Sequence, residues 1–196
     1  IHTDLITIGI TVLLLGNASE YAAVQAEKRR LILQMGSTDN SFAIEATRQI
    51  YQRGWLVDGT LRKARLNLAN LANANLSDAY MDRASFFLAK LEGSDLNNAH
   101  LERADLTSAF LRNAFLADAH LEGARLSGSR LQDARLTGAH LEGANLTYAH
   151  LEGALLAAIT YDDKTLWKGA VFTTGDEGTL FPDGFNPIEK GMVCAN

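Results

Sequence analysis

The stretch Ala99-His100-Leu101-Glu102-Arg103-Ala104-Asp105-Leu106-Thr107-Ser108 holds two units of five residues, each with a large apolar residue at its third place and a small one at its first. Extended in both directions, the pattern runs unbroken. Every fifth residue from Leu61 to Leu156 is large and apolar, 20 positions in all, and each is Leu except Met81 and Phe86. Two residues before each stands a small one: Ala at 17 of the 20, Ser94 and Ser129 at two, Gly59 at one. A helix repeats about every 3.6 residues and a strand every two, so neither keeps these positions on one face. The backbone must turn a corner every five residues instead.

In such a chain the large residue points inward and fills the axis. The small one also points inward, where only a methyl fits. The other three face water. The last of them is Gly, Asn or Asp in 12 of the 20 units, Asn73, Asp118 and Gly143 among them. Those residues tolerate the positive φ that a type II turn requires at its third residue. Turn chemistry and hydrophobic pattern therefore agree.

The units Ala-Asn-Leu-Ser-Asp (74–78), Ala-Asp-Leu-Thr-Ser (104–108) and Ala-Asn-Leu-Thr-Tyr (144–148) resemble the pentapeptide repeat family, whose consensus is Ala-(Asp/Asn)-Leu-x-x. The resemblance covers residues 59–158. It implies an all-β solenoid, a right-handed quadrilateral parallel β-helix with four units per coil. The repeats would then make about five coils spaced ~4.8 Å apart. Right-handedness also follows the general rule for parallel crossovers.

Composition restricts the function classes. The chain has 196 residues, 18 Lys+Arg and 23 Asp+Glu, a formal net charge of −5. Direct nucleic-acid binding is not expected of that balance. The single cysteine, Cys194, excludes an intrachain disulfide and a thiolate metal cage. Both prolines, Pro182 and Pro187, fall near the C-terminus, outside the repeats.

Four segments follow. Residues 1–35 form an apolar, α-helical N-terminal segment. No Asp, Glu, Lys or Arg lies between Leu5 and Ser19. The apolar run 5–15 would rise only ~16 Å as a helix, too little to cross a bilayer core of ~30 Å alone. The chain starts at Ile1 rather than Met, so an upstream part is expected to be missing. Residues 31–37, Leu-Ile-Leu-Gln-Met-Gly-Ser, resemble a stretch of membrane-anchored bacterial members. The segment reads as part of a transmembrane helix, as a helix buried in a homo-oligomer interface, or as the remnant of a signal peptide. In the first case Lys28, Arg29 and Arg30 place the repeats on the cytoplasmic side. The alternative is a soluble cytoplasmic protein. Residues 36–58 supply a helical N-terminal cap, with Asp39 or Asn40 capping a helix that puts Phe42, Ala43, Ala46, Ile50 and Tyr51 on one stripe and stops at Gly54. Residues 59–158 are the β-helix. Residues 159–196 lose the period and form a C-terminal cap and tail, sealed by Tyr161, Leu166, Trp167, Val171, Phe172, Phe181 and Phe185.

Candidate functional groups lie on the outside of the rod. Residues 20 apart stack in neighbouring coils, so His100, His120 and His140 form one ladder, with Glu102, Glu122 and Glu142 beside it. The His/Glu chemistry suits a divalent metal, but a flat ladder converges poorly on one point, and no metal or other cofactor is expected. Outward apolar side chains mark a partner-contact surface: Leu68 and Leu88 stack, Phe87 adjoins Leu88, and Phe110 and Phe115 follow one coil up. The opposing account is self-covering, with Arg130 stacked above Phe110 and Arg135 above Phe115. Catalysis needs convergent groups in a cleft, which a convex rod with a packed axis lacks.

The family resemblance also implies one known activity, protection of DNA gyrase by acidic DNA mimicry. Residues 59–158 carry 10 Lys+Arg and 11 Asp+Glu, a net charge of −1. Arg125, Arg130 and Arg135 occupy the consensus Asp/Asn place. The expectation is therefore a non-enzymatic protein-interaction scaffold or accessory subunit of a membrane-associated complex. A gyrase-directed DNA mimic is the alternative, and divalent-metal binding by the ladder a second one.

Overall fold

The computed structural model describes residues 2–174 and 178–195, with the side chains of residues 2–16 outside the description. Helix α1 (His2–Met35) is followed by α2 (Asn40–Gln52). The repeats come next, and two short strands, β1 (Val171–Phe172) and β2 (Val193–Cys194), pair in parallel in the tail.

Within the repeats the ladder is regular. Arg65 pairs with Ser85, Ser85 with Asp105, and Asp105 with Arg125, always in parallel and always 20 residues on. Four five-residue sides therefore close each coil. We number them by their axial residues: side 1 carries Met81 and Leu101, side 2 Phe86 and Leu106, side 3 Leu91 and Leu111, side 4 Leu96 and Leu116.

One unit shows why this sequence takes this path. Ala104 N–H donates to the carbonyl of Leu101 across the corner, at 2.9 Å. Asp105 N–H donates down to Ala84, and Leu106 and Ser108 N–H donate up to Arg125 and Ser127, at 2.8–2.9 Å. The fifth donor, Thr107 N–H, is taken by the Asp105 carboxylate at 3.1 Å. Asn75, Asp95 and Asn145 do the same for the N–H two residues on. The Asp/Asn preference of the consensus is thus a local cap for the one backbone donor the coils leave over.

Positive φ occurs at all 20 corners, including Leu68 (61°), Leu88 (56°), Arg103 (58°) and Tyr148 (59°). Coil geometry imposes the conformation, and residue type only sets its cost. For an L-residue that cost is roughly 1–2 kcal/mol. The axis is dry: every large residue from Leu61 to Leu156 is at most 1% exposed.

Both ends differ in detail from the sequence expectations. In α2 the buried residues are Ala43, Ala46, Thr47 and Ile50, whereas Phe42 and Tyr51 are exposed. The buried set keeps the i, i+3, i+4, i+7 spacing of one helix face, and Phe42 and Tyr51 lie about 100° to either side of it. Asp39 is the N-cap and accepts from Ser41 N–H at 2.8 Å. Leu31 and Met35, at the end of α1, are fully buried and join Ile50 and Leu56 in closing the first coil. Backbone bonds weld the cap on: Asn70 N–H donates to Ser37 and Tyr80 N–H to Leu56, both at 2.8 Å.

At the far end the ladder outlasts the five-residue period. Asn145 pairs with Leu166, His150 with Val171 and Leu155 with Leu180, so the spacing widens as residues are inserted. Leu166 and Val171 consequently occupy outward bridge positions and do not seal the axis. Trp167 and Phe172 are buried; Tyr161 and Phe185 meet Trp167 edge-on, Phe181 meets Phe172 edge-on, and Phe181 and Phe185 stack on each other.

The apolar run 5–15 lies among side chains outside the described residues. Among the described residues no helix is long and apolar enough to cross a membrane.

Candidate interaction faces

The bridge residue of each unit points outward, and its neighbours are the bridge residues 20 before and after it. Side 1 therefore presents Tyr80, His100, His120, His140 and Thr160 in one column. The His100 and His120 rings stack with centroids 4.7 Å apart and planes 4° from parallel, and His120 and His140 stack at 4.8 Å and 10°. Tyr80 meets His100 edge-on at 4.5 Å. Two residues along, Asp82, Glu102, Glu122 and Glu142 make the parallel acidic column.

The columns are bonded to each other, but unevenly. His100 Nδ1 lies 3.2 Å from Glu102 Oε1, and His120 Nδ1 lies 3.3 Å from Glu122 Oε1. His140 breaks the pattern, with its Nδ1 3.0 Å from the hydroxyl of Thr160. A pair outside the ladder expected from the sequence, His150 with Glu152 on side 3, shows the same contact at 3.3 Å. Its signal was plain, since residues 149–153 repeat Ala-His-Leu-Glu-Gly of 139–143. Above Glu142, Asp162 accepts from Gly143 N–H at 2.8 Å. That backbone bond, against the opposing effect of burial and with the help of the Thr165 hydroxyl and the Lys164 and Thr165 N–H groups, holds the Asp162 carboxyl below the usual aspartate range.

The apolar candidates do not form one patch. Leu68, Phe87 and Leu88 share side 2, where Leu68 is 54% and Phe87 42% exposed and Leu88 is half-buried. Leu68 N–H donates to the Phe87 carbonyl at 3.0 Å, so these residues are adjacent. Phe110 and Phe115 sit on sides 3 and 4, half-buried beneath cations. The Arg130 guanidinium lies 4.6 Å from the Phe110 centroid, and that of Arg135 lies 5.1 Å from the Phe115 centroid. A recess of about 400 Å³ beside Phe110 is lined by Glu92, Arg112, Arg130, Gln132 and His150, an open surface dip between side chains.

Comparison with known proteins accounts for the scaffold. The family model described as pentapeptide repeats matches residues 58–86, 84–123 and 124–157, in 8 copies. The chain belongs to the pentapeptide repeat family. Membership implies the right-handed quadrilateral β-helix. Pentapeptide repeat proteins are generally structural or interaction proteins. No curated protein matches the sequence significantly. Among solved structures, the pentapeptide repeat protein Rfr23 from the cyanobacterium Cyanothece 51142 is 37% identical over 50% of this chain and 64% of its own, with a TM-score of 0.42. HetL, a pentapeptide repeat protein involved in heterocyst differentiation regulation in Nostoc sp. PCC 7120, is 25% identical over 60% of this chain and 64% of its own, with a TM-score of 0.41. Full-length QnrB1, a plasmid-mediated fluoroquinolone resistance protein, is 15% identical over 68% of this chain and 66% of its own, with a TM-score of 0.42. The chain thus spans about two thirds of the length of these relatives.

Proposed function

We propose that this pentapeptide repeat protein is a non-enzymatic interaction scaffold that holds a protein partner against side 2 near its N-terminal cap. One observation carries this reading: Leu68, Phe87 and Leu88 form a contiguous apolar strip whose first two members are about half exposed to water. Leu68 does so while in a left-handed conformation that costs a Leu roughly 1–2 kcal/mol. Phe110 and Phe115, by contrast, are capped within the rod by Arg130 and Arg135. An apolar strip that no cation among the described residues caps fits a contact surface.

The acidic-mimic alternative fits the surface less well. Mimicry of nucleic acid calls for a rod of one sign, and the repeats carry a net charge of −1. Attachment to a membrane through residues 1–19 is a separate part of the proposal, read from the apolar run alone.

The test places a photo-crosslinking residue at position 68 in cells and a control at position 127 on the same side. A discrete adduct at 68, lost when Phe87→Asp is added and absent at 127, supports the proposal. Equal crosslinking at both positions, or no adduct from a normally folded protein, overturns it.

A further inference from the structure

We infer that side 1 binds a first-row divalent transition ion at its upper end, between Glu122, His140 and Glu142. The ligand-bearing atoms of these three residues lie within 4.8 Å of one another, and those of His100, Glu102 and His120 are likewise grouped. The two columns converge more closely than a flat ladder implies, because Glu122 of one coil is grouped with His140 and Glu142 of the next.

Three observations favour a cation. First, Oε2 of Glu102, Glu122 and Glu142 is shielded from solvent and has no hydrogen-bond partner. A carboxylate oxygen so placed is stabilised by neither water nor a donor. Second, the glutamates are stacked in adjacent coils, and like charges directly opposite repel. Third, compensation along the column is unequal. In the lower coils the corners carry Lys63, Arg83 and Arg103. At the same corner of the upper coils stand Gly123 and Gly143, which bring no charge. Here His140 has turned its Nδ1 to Thr160, so Glu142 lacks the imidazole contact that Glu102 and Glu122 have. Among the glutamates of this column Glu142 alone lacks both the imidazole contact and a cation at its own corner, whereas Arg103 lines one recess with Glu102 and Glu122.

The donor set selects the ion. One imidazole beside two carboxylates suits Zn²⁺, Ni²⁺, Co²⁺ or Cu²⁺ better than Mg²⁺ or Ca²⁺, which take oxygen alone. Tetrahedral ligands about 2.1 Å from zinc stand about 3.4 Å apart. Half-exposed side chains on a rigid backbone reach that spacing from 4.8 Å by rotation about their own bonds.

The experiment uses the full chain, without a polyhistidine tag and stripped by a chelator. Cobalt(II) absorption and calorimetry with zinc chloride read binding directly, with magnesium chloride as comparison. Saturable zinc binding, visible cobalt bands and a raised melting temperature with Zn²⁺ but not Mg²⁺ are expected. His140→Ala and Glu142→Gln should each weaken zinc by at least the roughly 10–100-fold that loss of even an outer partner costs a metal site. His150→Ala, which removes the isolated His–Glu pair on side 3, should leave binding unchanged. All these positions lie on the surface, and circular dichroism confirms that each variant is folded. Absence of cobalt bands and zinc heat overturns the inference. So does zinc binding equally strong in His140→Ala and Glu142→Gln, or lost only in His150→Ala.

Discussion

Truncating Leu106 to Ala tests the packed axis, and the same change at Leu61 tests the cap. Leu106 lies mid-rod, with Phe86 and Leu126 at the same place in the coils below and above, and is 0% exposed. Leu61 belongs to the first coil, and from sequence alone its truncation should cost less because fewer coils surround it. The structure changes that expectation. Leu61 is also 0% exposed, because Leu31, Met35, Ile50 and Leu56 close the end of the rod. Each truncation removes buried methyl groups and leaves a cavity that rigid coils cannot collapse. Each should therefore cost about 2–5 kcal/mol. For a chain of this size that lowers the melting temperature by roughly 4–20 °C, at 2–4 °C per kcal/mol. Urea and thermal unfolding followed by circular dichroism measure both variants against wild type. A Leu106→Ala loss under about 1 kcal/mol would refute the dry axis. A loss that small at Leu61 alone would show that α1 and α2 do not cover the first coil in solution.

Three further outcomes are expected. Gly143→Ala meets no atom within 4 Å and pays only for a φ of +67°, whereas Gly169→Ala, at +70°, also drives its Cβ to 2.5 Å from the Tyr148 ring; thermal melts should show the second clearly more destabilised, and equal losses would contradict the packing of the tail on the last repeats. Asp162 has a depressed pKa in the fold, so the unfolded chain binds more protons and this contribution to stability, complete above the unfolded value of about 3.9, is lost as pH falls below it. Asp162→Asn should flatten the acid limb of a stability-against-pH curve, and an unchanged limb would mean the Gly143 contact is not kept in solution. Deleting residues 1–19 should leave melting unchanged, since among the described residues burial begins at Leu31, but should reduce flotation with lipid vesicles or the oligomer size seen by light scattering; a truncated chain that fails to fold would place this segment within the cap.

Much of the surface arrangement was legible because the rod is quasi-one-dimensional. Once the period is five and the coil 20 residues, neighbours across coils follow from subtraction. Arg130 falls above Phe110, and His100, His120 and His140 fall in line, as the contacts show. Subtraction gives columns but not side-chain choices. It did not show that His140 bonds Thr160 instead of Glu142, because that depends on rotamers at the ragged top of the ladder. It offered the screening of Phe110 and Phe115 only beside the opposite account of a contact surface, and the choice depends on how far Arg130 and Arg135 reach.

The fold and the orientation of each repeat residue were determined by the sequence itself. Period, small inner residue and turn-tolerant corner are local and repeated 20 times, so errors cannot accumulate into another answer. The left-handed corner at Leu68 and Arg103 was decided by tertiary structure, since closing the coil outweighs the preference of a single residue. So were the recruitment of Leu31 and Met35 into the cap and the stranded carboxylate oxygens of side 1. Each arises where segments far apart in sequence meet at one place, and no periodicity within either segment encodes that meeting.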